Sequence, residues 1–310
     1  MNFRVGHAQD LSKATGCTVV IFPEGAVASC DVRGGAPATR ETDLLDPSCL
    51  VDKIDAILLA GGSAFGLAAA DGVMSWCLEN NMGFDTGFGL VPIVLASCIF
   101  DFSVGEKLSW PDREMGIEAC RNAQDPFKLP MGNWGAGTGA TVGKYLGPHR
   151  AMKSGVGWHV TRKGKVKVYA LAVVNSFGGV VDPNGALLAG ALNEAGYLVP
   201  CDNFGEEDKS SLLWGQNTTL SVIVTNAKLS KADCKRVSIM AHDGMARAIS
   251  PVHTPFDGDV VFCASTGGEN SSVLDVGIMA AEALSEAIRN GVKFAQSAYG
   301  FKGNSLADVD

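Results

Sequence analysis

The chain has 310 residues, of which 46% are hydrophobic and 19% are charged. This length and composition are sufficient for a buried core in one large domain or in two ordinary ones. The formal net charge of −8 at pH 7, with no block of lysine and arginine, argues against a general binder of nucleic acid or of anionic membranes.

Cysteine usage and hydropathy indicate a cytoplasmic protein. Nine cysteines are scattered between Cys17 and Cys263, none in Cys-x-x-Cys spacing. Several lie in apolar runs, as is typical of reduced core cysteine. Residues 1–16 lack the apolar region of a signal peptide, and the longest apolar run, at 90–100, is too short to cross a bilayer.

Three apolar segments near the beginning of the chain predict strands. Residues 17–22 and 27–35 predict the two arms of a hairpin, joined by a Pro-Glu-Gly turn. The continuous apolar run 54–62 predicts a buried strand. The alanine-rich residues that follow it predict a helix whose N-cap is Ser63.

The later part of the chain alternates strand and helix patterns. Residues 151–175 predict a hairpin that turns at Lys163 and Gly164. Ser230 and Asp233 have the spacing of a capping box at the start of a helix. The other predicted elements are a short helix near 186–195, strands at 219–227 and 259–265, and a final helix at 271–290. Interleaved helices and hairpins favour layered sheets with helices outside, and the polar stretch 202–212 is the only candidate boundary.

A serine lies at the predicted turn between strand 54–62 and the next helix. Gly61 and Ser63 match the first part of the G-x-S-x-G pattern of a nucleophile elbow, but Phe65 stands at the last glycine position. Helix capping by Ser63 is the simpler interpretation, and a role for this turn in lining a pocket stays open.

A glycine-rich stretch, GAGTGATVGK, occupies residues 135–144. It matches the loose G-x-G-x-x-A form of a dinucleotide fingerprint, but no buried strand precedes it, so nucleotide binding is not predicted. Two interpretations of Lys144 stay open. It either approaches a bound polar group together with backbone amides of the loop, or it is a solvated loop lysine.

The sequence QNTT at 216–219 leads directly into a strand pattern. A turn is the simpler interpretation of these residues, although their chemistry also permits a self-cleavage point. Attack of the Thr218 hydroxyl on the Asn217 carbonyl would free a threonine amine, which can act as the base for its own hydroxyl. Such a site needs carboxylates and an oxyanion donor. Asp257 and Asp259 are two residues apart, so an extended segment directs both to one face, although an Asp-Gly turn is the simpler interpretation.

The five histidines lack the paired spacing of a metal site, so no metal is predicted. Each is interpreted as a core or surface residue. Only His242 with the adjacent Asp243, on a predicted helix, is mildly suggestive of chemistry.

Five sequence blocks together resemble one known family. They are TGCTVVIFPEGAVASCDVRGGAPATRETDLLDP, AILLAGGSAFGLAAADGVMSW, VPIVLASCIFDF, GAGTGATVGK and PVHTPFDGDVVF. They extend over nearly the whole chain and resemble the self-processing L-aminopeptidase/D-alanyl-esterase family of N-terminal-nucleophile peptidases. Serine members have Gly-Asn-Ser at the cleavage point, whereas Asn217-Thr218 here is more similar to the nylon-oligomer (6-aminohexanoate-oligomer) endo-hydrolase branch.

The resemblance implies a four-layer αββα sandwich formed by a single domain, 1–310. It implies autocatalytic cleavage into an α chain, 1–217, and a β chain, 218–310, with no metal or organic cofactor and a tetramer of αβ units. Transferred position by position, Thr218 resembles the nucleophile, and Asp257 and Asp259 resemble the carboxylates that position it.

The remaining site residues also follow from the resemblance. Lys144 and Asn175 resemble the family's substrate and oxyanion residues. Phe100 is assigned to substrate binding, at a position where the oligomer hydrolase has a tyrosine; the missing hydroxyl puts activity on nylon oligomers in doubt.

The predicted function is hydrolysis of amide bonds in small peptides or linear amide oligomers through an acyl-enzyme. Two alternatives are an acyltransferase of the ornithine acetyltransferase type and an uncleaved, inactive binding homologue.

Overall fold

A mixed nine-stranded β-sheet forms the centre of the computed structural model, which describes residues 1–201 and 217–304. The strands are β1 (Arg4–Asp10), β2 (Thr15–Val32), β3 (Thr39–Arg40), β4 (Lys53–Ala60), β5 (Val94–Cys98), β6 (Val156–Lys163), β7 (Val166–Asn175), β8 (Thr218–Ala227) and β9 (Val260–Glu269). Their order in space is β6-β7-β8-β9-β2-β4-β5-β3, with β1 paired to β2. β8 with β9 and β4 with β5 are parallel; the other pairs are antiparallel.

In the part of the chain that the structure describes, four α-helices cover the two outer faces of this sheet system. They are α1 (Ala69–Glu79), α2 (Arg113–Arg121), α3 (Lys231–Ala246) and α4 (Val273–Lys293). α1 and α2 pack against β2, β4 and β5, and α3 and α4 pack against β7, β8 and β9. None of the helices in the described residues has the length and apolar character needed to cross a bilayer.

The strands of the sheet are buried on both faces, and their described residues contribute to three separate hydrophobic cores. Along β7, Val168 and Ala170 face helices α3 and α4, whereas Tyr169 and Leu171 face the opposite direction. The second face meets residues of β2 and β4 in a core between two sheet layers, and β2 and β4 bury their other faces under α1 and α2. Helix, sheet, sheet and helix therefore form four layers, and the predicted αββα sandwich is confirmed.

The strand β2 belongs to both sheet layers, which makes the predicted hairpin of residues 17–22 and 27–35 wrong. The two segments form one strand whose pairing with β4 shifts between Ile21 and Ala26. Each arm pairs with another strand instead, the first with β1 and the second with β9. The Pro-Glu-Gly segment is therefore a bulge at which one strand passes between layers, with Gly25 at a φ of 69°.

Several predicted elements are confirmed. β6 and β7 form the expected hairpin, with Lys163 opposite Val166, so that the turn lies one residue later than predicted. Ser230 and Asp233 form a complete capping box at the start of α3. The strands predicted at 54–62, 219–227 and 259–265 and the final helix are present within a few residues of their predicted ends.

Two local predictions are wrong. Residues 187–189 and 191–192 are short strands rather than a helix, because Gly190 passes so close to Gly143 that the chain is held extended despite its helix-favouring alanines and leucines. Ser63 does not cap a helix. It has a φ of 52° and follows Gly62, the N-cap of a 3-10 turn.

Smaller elements complete the described chain. Short paired strands are Phe84–Asp85 with Leu90–Val91, Thr141–Val142 with Met152–Lys153, Gly179–Val181 with Leu187–Ala189 and Ile249–Ser250, and Ala191–Leu192 with Leu198–Val199. Short 3-10 helices are Asp43–Leu45, Ser63–Ala68, Pro126–Lys128, Gly135–Gly137 and Pro148–Arg150. The candidate boundary at 202–212 lies outside the described residues.

Candidate active site

The Asn217–Thr218 bond lies at the beginning of β8, in the interior of the sandwich. Thr218 is the first residue of the strand and is directly opposite Asn175, the last residue of β7. Asn217 forms an isolated parallel bridge with Asp257. Because β8 is central, with β7 on one side and β9 on the other, this bond is held between two fixed strands.

The carbonyl group of Asn217 has two hydrogen-bond donors. The Thr218 hydroxyl donates to it, and the main-chain N–H of Gly258 donates to the same oxygen at 2.8 Å. Both Asn217 and Thr218 are buried. A buried carbonyl that accepts a fixed amide N–H, with a hydroxyl on the following residue, has the components needed for intramolecular attack with oxyanion stabilisation.

Asp257 is buried and bound through both carboxylate oxygens. Its Oδ1 accepts from the Phe177 N–H at 3.1 Å. Its Oδ2 accepts from the Thr254 N–H at 2.9 Å and from the Thr254 hydroxyl. Burial, and then the neighbouring charge of Asp259, raise the pKa of Asp257 to about 6, against the opposite effect of these donors.

Asp259 is also buried and binds the residue after the candidate nucleophile. Its Oδ1 accepts from the Thr219 N–H at 2.7 Å. Its Oδ2 accepts from the main-chain N–H of His253 at 3.1 Å and lies 2.8 Å from the ring Nδ1 of His253. The contact with the nucleophile strand is therefore through Thr219 rather than Thr218.

Lys144 is buried, and all three ammonium hydrogens have acceptors. Nζ donates to the carbonyl oxygen of Thr141 at 2.9 Å, the carbonyl oxygen of Asn175 at 3.0 Å and the Asn175 Oδ1 at 2.9 Å. The interpretation of Lys144 as a solvated loop residue is therefore wrong. Burial lowers the pKa of Lys144 to about 7, although Asp257 and Asp101 favour the charged form.

Lys144 and the glycine-rich loop fix the orientation of the Asn175 side chain. The Asn175 Oδ1 accepts from Lys144 and from the Thr141 N–H at 3.1 Å, which directs Nδ2 the other way, where it donates to the carbonyl oxygen of Phe100 at 3.0 Å. Phe100 thus reaches Asn175 through its main chain, a contact that does not depend on a tyrosine hydroxyl. The half-buried Phe100 ring packs edge-on against Phe102, with ring centroids 5.0 Å apart.

A second pair of buried charged groups, Asp101 and Lys153, lies behind this site. Asp101 accepts from the Gly62 N–H at 2.7 Å and from the Thr15 hydroxyl at 2.8 Å, and burial raises its pKa to about 6. Lys153 donates to three main-chain carbonyls, among them that of Ala140 at 2.8 Å, and burial lowers its pKa to about 7. Both favour the charged form of the other.

The structure brings together all seven residues assigned to the site from the sequence, and it adds others. Hydrogen bonds, strand pairing or electrostatic coupling link Asn217, Thr218, Asn175, Lys144, Asp257, Asp259 and Phe100. Sequence reasoning missed Gly258, His253 and Thr254, although all three lie within the PVHTPFDGDVVF block. A main-chain N–H such as that of Gly258 is present in every residue type except proline, so the sequence does not indicate which one acts as a donor and only the fold shows it.

Two other candidates are not part of this arrangement. In the described part of the chain, no hydrogen bond joins Ser63 to a histidine, so the elbow interpretation has no general base. Within residues 1–201 and 217–304, no group of three or more histidine, cysteine, aspartate and glutamate side chains is placed to hold a metal ion.

Sequence comparison shows relatives along most of the chain. The model of Peptidase family S58 matches residues 2–306. An uncharacterized aminopeptidase of Mycobacterium tuberculosis is 42% identical over 329 residues, covering 96% of this chain and 93% of its own. The 6-aminohexanoate-oligomer endohydrolase of Kocuria sp. is 34% identical over 267 residues, covering 84% of this chain and 72% of its own. The mycobacterial relative thus shares more identity with this chain than the oligomer hydrolase does.

Solved structures support the fold. A β-aminopeptidase of Burkholderia sp. has a TM-score of 0.71 at 18% identity, covering 99% of this chain and 90% of its own. The L-aminopeptidase D-Ala-esterase/amidase of Ochrobactrum anthropi, described as a new variant of the Ntn hydrolase fold, has a TM-score of 0.73 at 15% identity, covering 99% and 87%. Given a family model that matches nearly the whole chain and relatives well above 30% identity, this protein belongs to peptidase family S58 and is a hydrolase of peptide or amide bonds.

Proposed function

We propose that this protein is an N-terminal-threonine amidohydrolase that generates its nucleophile by cutting its own chain between Asn217 and Thr218. The observation that carries the proposal is the environment of the Asn217 carbonyl. Its oxygen accepts from Gly258 and from the Thr218 hydroxyl, beside two buried carboxylates.

Self-cleavage begins with attack of the Thr218 oxygen on the carbonyl carbon of Asn217. The Gly258 N–H stabilises the negative charge that develops on the Asn217 oxygen. The C–N bond then breaks, the proton lost by the Thr218 hydroxyl passes to the Thr218 nitrogen, and an ester joins Asn217 to the threonine oxygen. Water hydrolyses this ester and leaves fragments of 217 residues and, as 310 − 217, 93 residues.

Substrate turnover repeats this chemistry on an external amide. The freed Thr218 amine takes the proton from its own hydroxyl, which attacks the substrate carbonyl and forms an acyl-enzyme that water hydrolyses. Asn175, oriented by Lys144, lies opposite the nucleophile and supports the oxyanion with nearby main-chain amides. Asp257 and Asp259 keep the start of β8 in position through the bridge to Asn217 and the bond to Thr219.

The substrates we propose are small peptides or linear amide oligomers. The family and the names of the aminopeptidase and oligomer-hydrolase relatives support this choice. A panel of aminoacyl p-nitroanilides, β-peptides and aminohexanoate oligomers, assayed for amine release, would identify the preferred class.

The decisive experiment follows chain cleavage by denaturing gel, intact mass and N-terminal sequencing. Wild-type protein should give two fragments, the smaller beginning at Thr218, and Thr218→Ala should give neither cleavage nor hydrolysis. Thr219→Val is the matched control, because the buried Thr219 hydroxyl has no hydrogen-bond partner among the described residues and its loss should leave cleavage intact.

Three results would contradict the proposal. A wild-type chain that stays intact after long incubation would indicate a binding protein, and a Thr218→Ala variant that still splits would place the nucleophile elsewhere. Acyl transfer to an amino acceptor faster than to water would indicate an acyltransferase.

A further inference from the structure

Two consecutive residues, His253 and Thr254, each bind one of the two buried carboxylates twice. Thr254 donates its main-chain N–H and its hydroxyl to Oδ2 of Asp257. His253 donates its main-chain N–H to Oδ2 of Asp259 at 3.1 Å, and its ring nitrogen Nδ1 is 2.8 Å from the same oxygen. Because an ionised carboxylate only accepts, Nδ1 carries the hydrogen of this bond.

These four bonds leave the other oxygen of each carboxylate directed at the candidate active site. Oδ1 of Asp259 accepts from the N–H of Thr219, the residue after the nucleophile, at 2.7 Å. Oδ1 of Asp257 accepts from the N–H of Phe177, two residues beyond Asn175, at 3.1 Å. The segment 253–254 therefore determines how both acids face strands β7 and β8.

The backbone of His253 is adapted to this arrangement. Its φ of 54° lies in the left-handed region, which few residues other than glycine adopt, although histidine does so more often than most. The His253 ring packs edge-on against the buried His242, with centroids 4.7 Å apart, so its orientation is supported from behind. A strained residue that is held on two sides and bonded to a buried acid is typical of positions where geometry matters for function.

We propose that His253 and Thr254 are positioning residues that hold Asp259 and Asp257 in the orientation required for self-cleavage and for amide hydrolysis. We call this pair the carboxylate clamp. The proposal rests on the proposed function, since it assigns the two acids to the site of Thr218. The clamp is then required for the rates of self-cleavage and of amide hydrolysis, whereas the stability of the fold does not depend on it.

The test compares variants that remove a clamp donor with variants that restore it. Thr254→Val removes the hydroxyl at nearly constant shape, and Thr254→Ser restores it. His253→Gly removes the ring donor but tolerates the positive φ. His253→Asn also tolerates that φ and carries an amide N–H the same number of bonds from the main chain as Nδ1. Thr266→Val is the matched control, because the Thr266 hydroxyl donates at 3.1 Å to the Thr225 carbonyl, away from the acids.

The measurements are the first-order rate of self-cleavage during cell-free synthesis and, for the mature enzyme, kcat and KM on an aminoacyl p-nitroanilide. We expect Thr254→Val and His253→Gly to lower the cleavage rate and kcat by about 10- to 100-fold with little change in KM, as for loss of one hydrogen bond to a charged group. The Ser and Asn variants should recover most of each loss, and Thr266→Val should match wild type. Tm of each variant separates loss of rate from loss of fold.

The outcomes separate failure of the clamp from failure of the proposed function. If wild-type protein cleaves and Thr254→Val and His253→Gly cleave and turn over at the wild-type rate, the clamp is refuted and the proposed function stands. If both variants lose rate only in proportion to a lower Tm, or if Ser and Asn rescue nothing, the role is structural and the clamp is again refuted. A wild-type chain that never cleaves overturns both.

Discussion

Replacing Gly258 with alanine tests the packing around the Asn217–Thr218 bond. The added carbon would stand 2.7 Å from the Thr218 hydroxyl oxygen and 2.7 Å from the carbonyl oxygen of Ala36. Carbon–oxygen contacts are normally about 3.3 Å or longer, so the hydroxyl or the surrounding chain must move by roughly 0.6 Å. Gly258 does not have a positive φ, so alanine fits the backbone and keeps the N–H that donates to Asn217.

The size of the effect follows from this displacement. Misplacing a reacting group by 1 Å can cost on the order of 100-fold in rate, so a shift of roughly 0.6 Å predicts self-cleavage that is about tenfold slower. Overpacking should also lower the free energy of unfolding by about 1–3 kcal/mol. The displaced atom is the nucleophile itself, so the rate of cleavage should fall even where the fold tolerates the methyl group.

The assay is cell-free synthesis followed by intact mass over time, with Tm measured in parallel. Gly190→Ala is the control, because its added carbon would stand 3.1 Å from the Tyr145 hydroxyl and 3.5 Å from a Leu187 methyl, contacts that small adjustments relieve. Cleavage of Gly258→Ala at the wild-type rate would refute the placement of the Thr218 hydroxyl against Gly258 as the nucleophile of self-cleavage.

Two further predictions concern protonation. Burial and the charge of Asp259 raise the pKa of Asp257 to about 6, and the ionised carboxylate is the form that accepts from Thr254 and Phe177. We therefore expect kcat/KM of the mature enzyme to fall as the pH drops through about 6. A fall that begins only near the ordinary aspartate pKa would contradict this. Burial lowers the pKa of Lys153 to about 7. Between about pH 7 and the ordinary lysine pKa, the unfolded chain therefore binds a proton that the folded chain lacks, so the free energy of unfolding rises with pH in this range. Denaturant unfolding should show the free energy of unfolding of wild type rising by about 2 kcal/mol relative to that of Lys153→Met between about pH 7 and about pH 9. A difference between the two proteins that does not change with pH would contradict a neutral Lys153.

The fold was predictable where local pattern and final structure agree. The apolar runs at 54–62, 219–227 and 259–265 were each predicted as strands and are strands buried on both faces. At 54–62 the continuous apolar character also predicted the burial, because a strand covered on both faces has no polar side. The capping box of Ser230 and Asp233 depends only on residues three apart, so it too was visible in the sequence.

Two of the three failures share one cause, which is that partners distant in sequence decided the local structure. Residues 17–35 contain a convincing turn signal, yet the two arms pair with other strands, β1 and β9, and not with each other. The alanine- and leucine-rich residues near 190 favour a helix locally, but the close approach of Gly143 to Gly190 holds them extended. Ser63 follows a strand as an N-cap would, but the turn placed Gly62 there instead.

The sequence by itself determined the chemical inventory of this protein: two adjacent threonines after an asparagine, an Asp-Gly-Asp segment, and a lysine in a glycine-rich loop. Only the tertiary structure decided which of these groups meet. The pairing of β7 and β8 sets Asn175 opposite Thr218, the turn before β9 brings the Gly258 N–H to the Asn217 oxygen, and burial moves the pKa values of Asp257 and Lys144 toward neutrality. Distances between strands and the loss of water around a charge are properties of packing, and a linear sequence does not contain them.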